Sequence, residues 1–191
     1  MATLDWKRFL TDYSRELAFR TPLLDRADVP EEAREQKWLG YPPATDAQIA
    51  SAERSLHVDL PEDVRAFYRT TNGWRLCGHQ IYDIKPVHEL CWLSDGSPAI
   101  WTLCQVDMSP PVDDEEREWW YDQGVKVRRS LMLSTRGDDS TLLFDPESHL
   151  PAHELRYGTW AAWNPAMEWT ANSLAQFFEQ SRETLLQMDE G

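Results

Sequence analysis

Long apolar runs are missing from this sequence, and their absence bears first on where the protein can act. No stretch reaches the roughly 18 apolar residues that a membrane span requires, and no apolar segment follows the first positive charges of MATLDWKRFLTDYSRELAF. Cysteine is also scarce: Cys77, Cys91 and Cys104 form an odd set in a 191-residue chain that can build a core without disulfides. We therefore expect a cytoplasmic protein that is neither secreted nor inserted into a membrane.

Positive charge is in short supply as well. Lys and Arg number 19 against 33 Asp and Glu, which gives a formal net charge of -14. Because affinity for nucleic acid and for anionic lipid depends on Lys and Arg, this balance argues against both as partners. A basic protein partner fits the charge, although acidity can also serve solubility alone.

Recognisable catalytic motifs are absent too: the chain has no Gly-rich phosphate loop, no GxSxG and no HExxH. Cys77, His79, His88 and Cys91 offer soft metal ligands in CGHQIYDIKPVHELC, but C-x-H followed by H-x-x-C is not a zinc-finger spacing, and the first pair is too close for easy ligation. We expect buried thiols and surface histidines here, with no metal, cofactor or catalytic residue. A hydrolase built from these side chains is the third-ranked alternative.

Helical periodicity fills the first part of the chain. An apolar stripe in TLDWKRFLTDYSREL, behind a possible Thr3 cap, predicts an amphipathic helix. Pro30 begins a short helix in PEEAREQKW, and the pair Thr45 and Gln48 predicts a capping box at the start of a helix over 46–56. Pro61 opens a further helix that ends at the NG of TTNGW. The residues expected to face inward are Trp6, Phe9, Leu10, Tyr13, Leu17, Ile49, Ala52, Leu56, Val64, Phe67 and Tyr68.

Beyond Gly73 the period changes from 3.6 to two, which predicts strands. The strand-like runs lie at 80–84, 99–106, 130–135 and 140–145, and TRGDDS between the last two predicts an antiparallel hairpin. HELRY can add a strand, and a closing helix begins at a capping box of Ser173 and Gln176. Its apolar face is Leu174, Phe177, Phe178, Leu185 and Met188. Helices, then strands, then a helix indicate an α+β fold.

Several of these features together resemble the SUKH superfamily, in its Smi/Knr or cell-wall-assembly-regulator branch. The resemblance rests on LGYPPATDAQIASAERSLHVDLPEDVRAFYRTTNGW, IYDIKPVHEL, SLMLSTRGDDSTLLFDPES and the closing helix. It implies a single α+β domain with a mostly antiparallel sheet flanked by helices, and a role in binding another protein. We expect an N-terminal helical extension over 1–37 packed on a SUKH-like domain over 38–191, with an acidic insertion at about 95–129.

The insertion contains DDEEREWWYDQG, in which acids and adjacent indoles occur together. One interpretation is a solvated acidic turn pinned by buried tryptophans; the other is a surface that steers a basic partner and excludes water on contact. For the second we name as partner-binding residues Asp113, Asp114, Glu115, Glu116, Glu118, Trp119, Trp120 and, where a second glycine often follows NG, Trp74. The cluster of Trp160, Trp163 and Trp169 favours core packing over an aromatic groove.

Many bacterial domains of the family that this sequence resembles are immunity proteins, so the resemblance, combined with the acidic surface, leads us to expect a bacterial immunity protein that neutralises a cognate polymorphic toxin, such as a basic nuclease, by stoichiometric occlusion. The alternative is a cytoplasmic regulatory or scaffold module of Smi/Knr type. The first predicts tight one-to-one binding, and the second predicts weak binding to several proteins.

Overall fold

Helices fill the first part of the chain and strands much of the second part in the computed structural model, which describes residues 4–103, 125–135, 137, 140–146, 155–161 and 164–188. The helices are α1 Trp6–Leu17, α2 Thr21–Arg26, α3 Glu31–Glu35, α4 Asp46–Leu56, α5 Glu62–Thr70, α6 Leu93–Gly96, α7 Pro98–Leu103 and α8 Leu174–Gln187, with a 3-10 turn at Val87–Glu89. The strands are β1 Trp74–Arg75, β2 Asp83–Ile84, β3 Cys91–Trp92, β4 Leu131–Met132, β5 Ser140–Phe144, β6 Tyr157–Ala161 and β7 Asn164–Ala171. No described helix is long and apolar enough to cross a membrane.

The sheet is antiparallel throughout its described strands. Strands β3 to β7 lie side by side in chain order, and β1 and β2 form a separate two-stranded pair. The predicted hairpin is present, because β4 and β5 pair with Leu131 opposite Phe144 and Met132 opposite Leu143. The α+β fold with a mostly antiparallel sheet is therefore confirmed.

Helix α1 buries the stripe that its sequence predicts. Its buried side chains include all five expected residues together with Ser14. The predicted cap at Thr3 is wrong, since the helix begins at Trp6 and Asp5 stands directly before it, where its carboxylate accepts the Arg8 N–H at 3.0 Å. An N-cap must occupy that position to reach the third helical amide.

Helix α4 has the predicted bounds and capping box. Thr45 Oγ1 accepts the Gln48 N–H at 3.2 Å, while Gln48 Oε1 accepts the Thr45 N–H at 2.8 Å. Helix α5 follows Pro61 as predicted, but NG does not cap it: Thr71 is already extended at φ -155°, and Gly73 carries the positive φ of 107°. A Cβ at Gly73 would lie 2.7 Å from the Ile84 carbonyl oxygen, so this glycine serves the approach of β1 to β2.

In the second part of the chain one strand prediction is wrong and one strand is missing from the predictions. Residues 99–103 of the run AIWTLCQV lie in helix α7 instead of a strand, because short apolar runs fit either period and Pro98, directly before the run, is favourable at the first helical position. Strand β7 was not predicted at all, and it pairs with β6 through two register shifts. The interruptions blur the alternation that would reveal a strand.

Only one of the two hydrogen bonds of the capping box predicted for helix α8 is present. Ser173 Oγ accepts the Gln176 N–H at 3.1 Å, but Gln176 Oε1 accepts from the Asn172 N–H at 2.9 Å. Asp63 Oδ2 also accepts the Leu174 N–H at 2.8 Å, which joins α5 to the start of α8. The expected apolar face is buried except at Met188, the residue directly after the helix, which is 52% exposed.

The main core lies where α1, α5 and α8 pack on one face of the five-stranded sheet, the face that carries Leu142 and Phe144. The ring centroid of Trp6 lies 5.1 Å from that of Phe67 and 5.4 Å from that of Phe178, and its Nε1 donates to the Asp63 carbonyl at 3.2 Å. Tyr13 Oη donates to the Cys77 carbonyl at 2.8 Å. The first helix therefore contributes to the same core as the later elements.

Candidate functional site

The five-stranded sheet is apolar on both faces. In β5, Leu142 and Phe144 point into the main core, while Leu143 belongs to a smaller cluster on the opposite face. We call this cluster the second core; its buried members are Leu93, Ile100, Val127, Met132, Leu143 and Trp160, with Cys91, Trp101 and Trp169 packed against it. Alternation along each strand assigns the side chains to the two faces.

The second core holds both ends of the predicted insertion. Ile100 enters it from α7, and Val127 enters it from a helical turn over 125–128. We call residues 93–103 the outgoing arm of the insertion and 125–130 its returning arm. The two arms meet where they join the sheet, which we call the base, since the Leu93 N–H donates to the Ser130 carbonyl at 2.9 Å. The chain thus leaves the sheet after Trp92 and re-enters it at Leu131, the residue that pairs with Trp92.

Cations on the returning arm strengthen this base. The guanidinium of Arg129 donates from Nε and Nη2 to Asp145 Oδ2, at 3.0 and 2.7 Å, and the Asp145 side chain is fully buried. Arg128 lies 5.1 Å from the ring centroid of Trp101, which belongs to the outgoing arm. A buried carboxylate is tolerated only when it is paired, so this arm is fixed in place by charge as well as by packing.

The acidic and indole residues of the hypothesis lie between these two arms. Asp113, Asp114, Glu115, Glu116, Glu118, Trp119 and Trp120 all fall within 104–124, outside the described residues. Their role in partner binding stays a prediction.

For Trp74 the prediction of partner contact is wrong. Its side chain is 0% exposed, its Nε1 donates to the Leu76 carbonyl at 3.0 Å, and its ring meets that of Trp38 edge to face. A side chain with no accessible surface cannot contact a partner in the folded protein. Trp74 is a core residue.

The cysteines and histidines are not gathered into one place. Cys77 is fully buried and His88 is exposed, as expected, whereas Cys91 and His79 are half-buried. Within the part of the chain that the structure describes, no three His, Cys, Asp or Glu side chains form a group that could hold a metal ion. Burial raises the pKa of the Cys77 thiol well above its ordinary value, which disfavours the nucleophilic thiolate there.

The tryptophans near the C-terminus are mainly packing residues. Trp160 is 6% exposed and lies in the second core, and Trp169 is packed against it; Trp163 lies outside the described residues. The preferred interpretation, core packing, is therefore confirmed for Trp160.

Sequence reasoning missed a groove of about 450 Å³ between α3 and the segment before α4. Trp38 and Tyr41 line it, and each ring carries a cation: Lys7 Nζ lies 3.8 Å from the Trp38 centroid, and the Arg75 guanidinium lies 3.7 Å from that of Tyr41. The string WLGYPP, with two aromatics and two prolines in six residues, was the available signal.

Comparison with known families accounts for this architecture. The model of the SMI1 / KNR4 family (SUKH-1) matches residues 43–180, well over half of the chain. The chain belongs to the SMI1/KNR4 family. The resemblance inferred from the sequence is therefore confirmed, and SUKH domains are in general non-catalytic modules that bind partner proteins. None of the curated proteins compared with the chain matches it.

Proposed function

We propose that this SUKH protein is a bacterial immunity protein, which binds a basic toxin domain one-to-one in the cytoplasm and blocks its active surface without catalysis. Nuclease toxins carry basic substrate clefts, so they are the toxin class that an acidic inhibitor suits best. Free thiols at Cys77 and Cys91 agree with a reducing compartment.

One observation carries the proposal: the acidic insertion starts and ends on a folded base. Leu93 and Ser130 close that base, and Ile100 and Val127 anchor the two arms in the second core. A binding segment mounted on packed elements loses less conformational entropy on association than a free loop does, because its ends are already ordered.

The charge of the insertion supports the choice of a basic partner. Between Asp107 and Asp122 seven acidic side chains stand against Arg117 alone. Clustered carboxylates accelerate encounter with a basic surface, and an indole at the contact supplies apolar area that excludes water. We therefore assign association rate to the carboxylates and complex lifetime to Trp119 and Trp120.

The test uses the basic domain of a polymorphic toxin encoded beside this chain, with binding followed by surface plasmon resonance at several salt concentrations. We expect the double reversal Glu115→Lys and Glu116→Lys to lower the association rate about tenfold or more at low salt. Trp120→Ala should raise the dissociation rate about thirtyfold, corresponding to the roughly 2 kcal/mol of an interface hot spot. Unmutated protein should abolish toxin activity at equimolar ratio.

A matched control separates the insertion from net charge. Glu35 and Glu183 are exposed on α3 and α8, which contribute no residue to the second core, so reversing both changes the net charge by the same amount. Equal slowing by the control would refute the role of the insertion. Failure of the unmutated protein to inhibit the neighbouring toxin, combined with weak, salt-labile binding to several host proteins, would favour the regulatory module instead.

A further inference from the structure

A buried lysine faces a cysteine at the edge of the second core. Lys85 is only 6% exposed, and its Nζ lies 3.3 Å from Cys91 Sγ. Among the described residues no carboxylate lies within 4.0 Å of that ammonium group. Lysine is rarely buried unless its ammonium group has a partner, and the partner that the structure gives Lys85 is the Cys91 sulfur. This pairing of a buried amine with a thiol indicates a chemical role.

The backbone holds Lys85 firmly in this position. Its N–H donates to the Leu133 carbonyl at 2.8 Å, and its carbonyl accepts from Tyr68 Oη at 3.0 Å. The lysine stem therefore starts from a fixed point between the two-stranded pair and β4. The rotamer freedom of the stem is lost on folding, because the side chain itself is buried.

Cys91 is the more accessible of the two described thiols. It is half-buried on β3, and a Cβ placed on Gly96 would lie 2.7 Å from its sulfur, so α6 packs directly against it. Cys77 is its internal contrast: that thiol is fully buried and hydrogen-bonds Ser181 instead of a lysine. A half-buried thiol beside a cation is the environment in which cysteine reacts with oxidants.

We propose that Lys85 and Cys91 are an oxidant-responsive modification site, at which hydrogen peroxide converts the pair into a sulfenamide cross-link. The thiolate of Cys91, paired with the Lys85 ammonium, attacks one peroxide oxygen; an S–O bond forms and the O–O bond breaks. The hydroxide that leaves takes a proton from the ammonium and becomes water. Sulfur is oxidised, peroxide oxygen is reduced, and Lys85 is left as a neutral amine beside a sulfenic acid.

The second step consumes that amine. Its lone pair attacks the sulfur, an S–N bond forms, and the S–O bond breaks with loss of hydroxide, which takes a proton from nitrogen and leaves as a second water. The net change is loss of two hydrogen atoms from the protein per peroxide reduced. Sulfenic acids are known to condense with nearby nitrogen in this way, and thiols reverse the product.

The experiment uses full-length chain carrying Cys77→Ala and Cys104→Ser, so that Cys91 is its single thiol and no internal disulfide can form. After hydrogen peroxide treatment, intact mass should fall by two hydrogen atoms. Proteolysis after Glu89, which lies between the paired residues, should then leave the two peptides joined until a thiol reductant is added. This mapping needs no substitution at either member of the pair.

Two variants sharpen the result. Lys85→Arg keeps the positive charge but supplies a poorly nucleophilic nitrogen, so Cys91 should gain one oxygen, trappable by dimedone, without a cross-link. Cys91→Ser should show neither change. Three results would each overturn the proposal. In the protein that keeps Lys85, Cys91 could gain oxygen without forming the cross-link, or could fail to react at all. In the Lys85→Arg variant, the mass could fall by the same two hydrogen atoms.

Discussion

Replacing Trp6 by alanine tests whether the first helix, which lies outside the family match, is part of the fold. The indole is 3% exposed and meets Phe67 and Phe178 edge to face. A buried tryptophan covers about 200 Å², which at about 25 cal/mol per Å² corresponds to about 5 kcal/mol, and measured Trp→Ala losses in cores are about 3 to 5 kcal/mol. We expect a loss of about 4 kcal/mol in the free energy of unfolding.

Urea unfolding followed by far-ultraviolet circular dichroism measures this loss, because the midpoint falls while the slope stays constant in a two-state protein. For a chain of this size the melting temperature should fall by about 8 to 16 °C. Trp6→Phe is the graded control: it keeps most of the ring contacts but loses the Nε1 bond to Asp63, so it should cost about 1 to 2 kcal/mol. A loss below about 1 kcal/mol for Trp6→Ala, at unchanged slope, would refute the placement of α1 in the main core.

Three further substitutions have distinct expected results. Burial raises the pKa of Asp63, so the unmutated protein loses stability as pH rises from about 4 through the folded pKa of this carboxyl. The Asp63→Asn variant keeps an acceptor for the Leu174 N–H and has no group to ionise there. In urea titrations the variant should therefore gain stability relative to the unmutated protein across that pH range, and the difference should vanish at lower pH. Arg129→Met removes both bonds to the buried Asp145 carboxylate and should cost about 3 kcal/mol by the same assay, with Asp145→Asn recovering part of it in the double variant; an additive loss would contradict the pairing. Gly96→Ala places a Cβ 2.5 and 2.7 Å from two sulfur atoms and should cost about 1 to 3 kcal/mol in thermal melts, whereas an unchanged melting temperature would contradict that packing.

The helical half of the fold could be predicted because its signals are local. A capping box and an apolar stripe involve side chains three or four residues apart, so Thr45, Gln48 and the face of α1 follow from sequence alone. The errors fall where geometry depends on distant partners. Helix α7 has only Pro98 as a local signal and the pairing of strand β7 is interrupted, so their state is decided by packing on the second core and by pairing with β6.

The candidate site could be predicted only in its composition. The acidic side chains and indoles at 113–120 indicate a segment suited to a basic partner, but nothing in the local sequence shows where the two ends of that segment attach to the fold. Trp74 illustrates the opposite failure: beside NG it looked like a surface indole, yet its pairing with Ile84 across β1 and β2 carries it inside. Exposure of an aromatic residue depends on strand pairing, which a single sequence does not encode locally.

The run LLF in β5 contains the signal from which the second core could have been inferred. A strand with one wet face alternates apolar and polar residues, whereas three successive apolar residues indicate burial on both faces. Helices α1, α5 and α8 can cover only the face that carries Leu142 and Phe144, so Leu143 requires a separate cover. The arms of the insertion supply that cover. An insertion that the sheet needs for its own burial keeps its ends in fixed positions, which is the physical reason for proposing its acidic segment as the binding element.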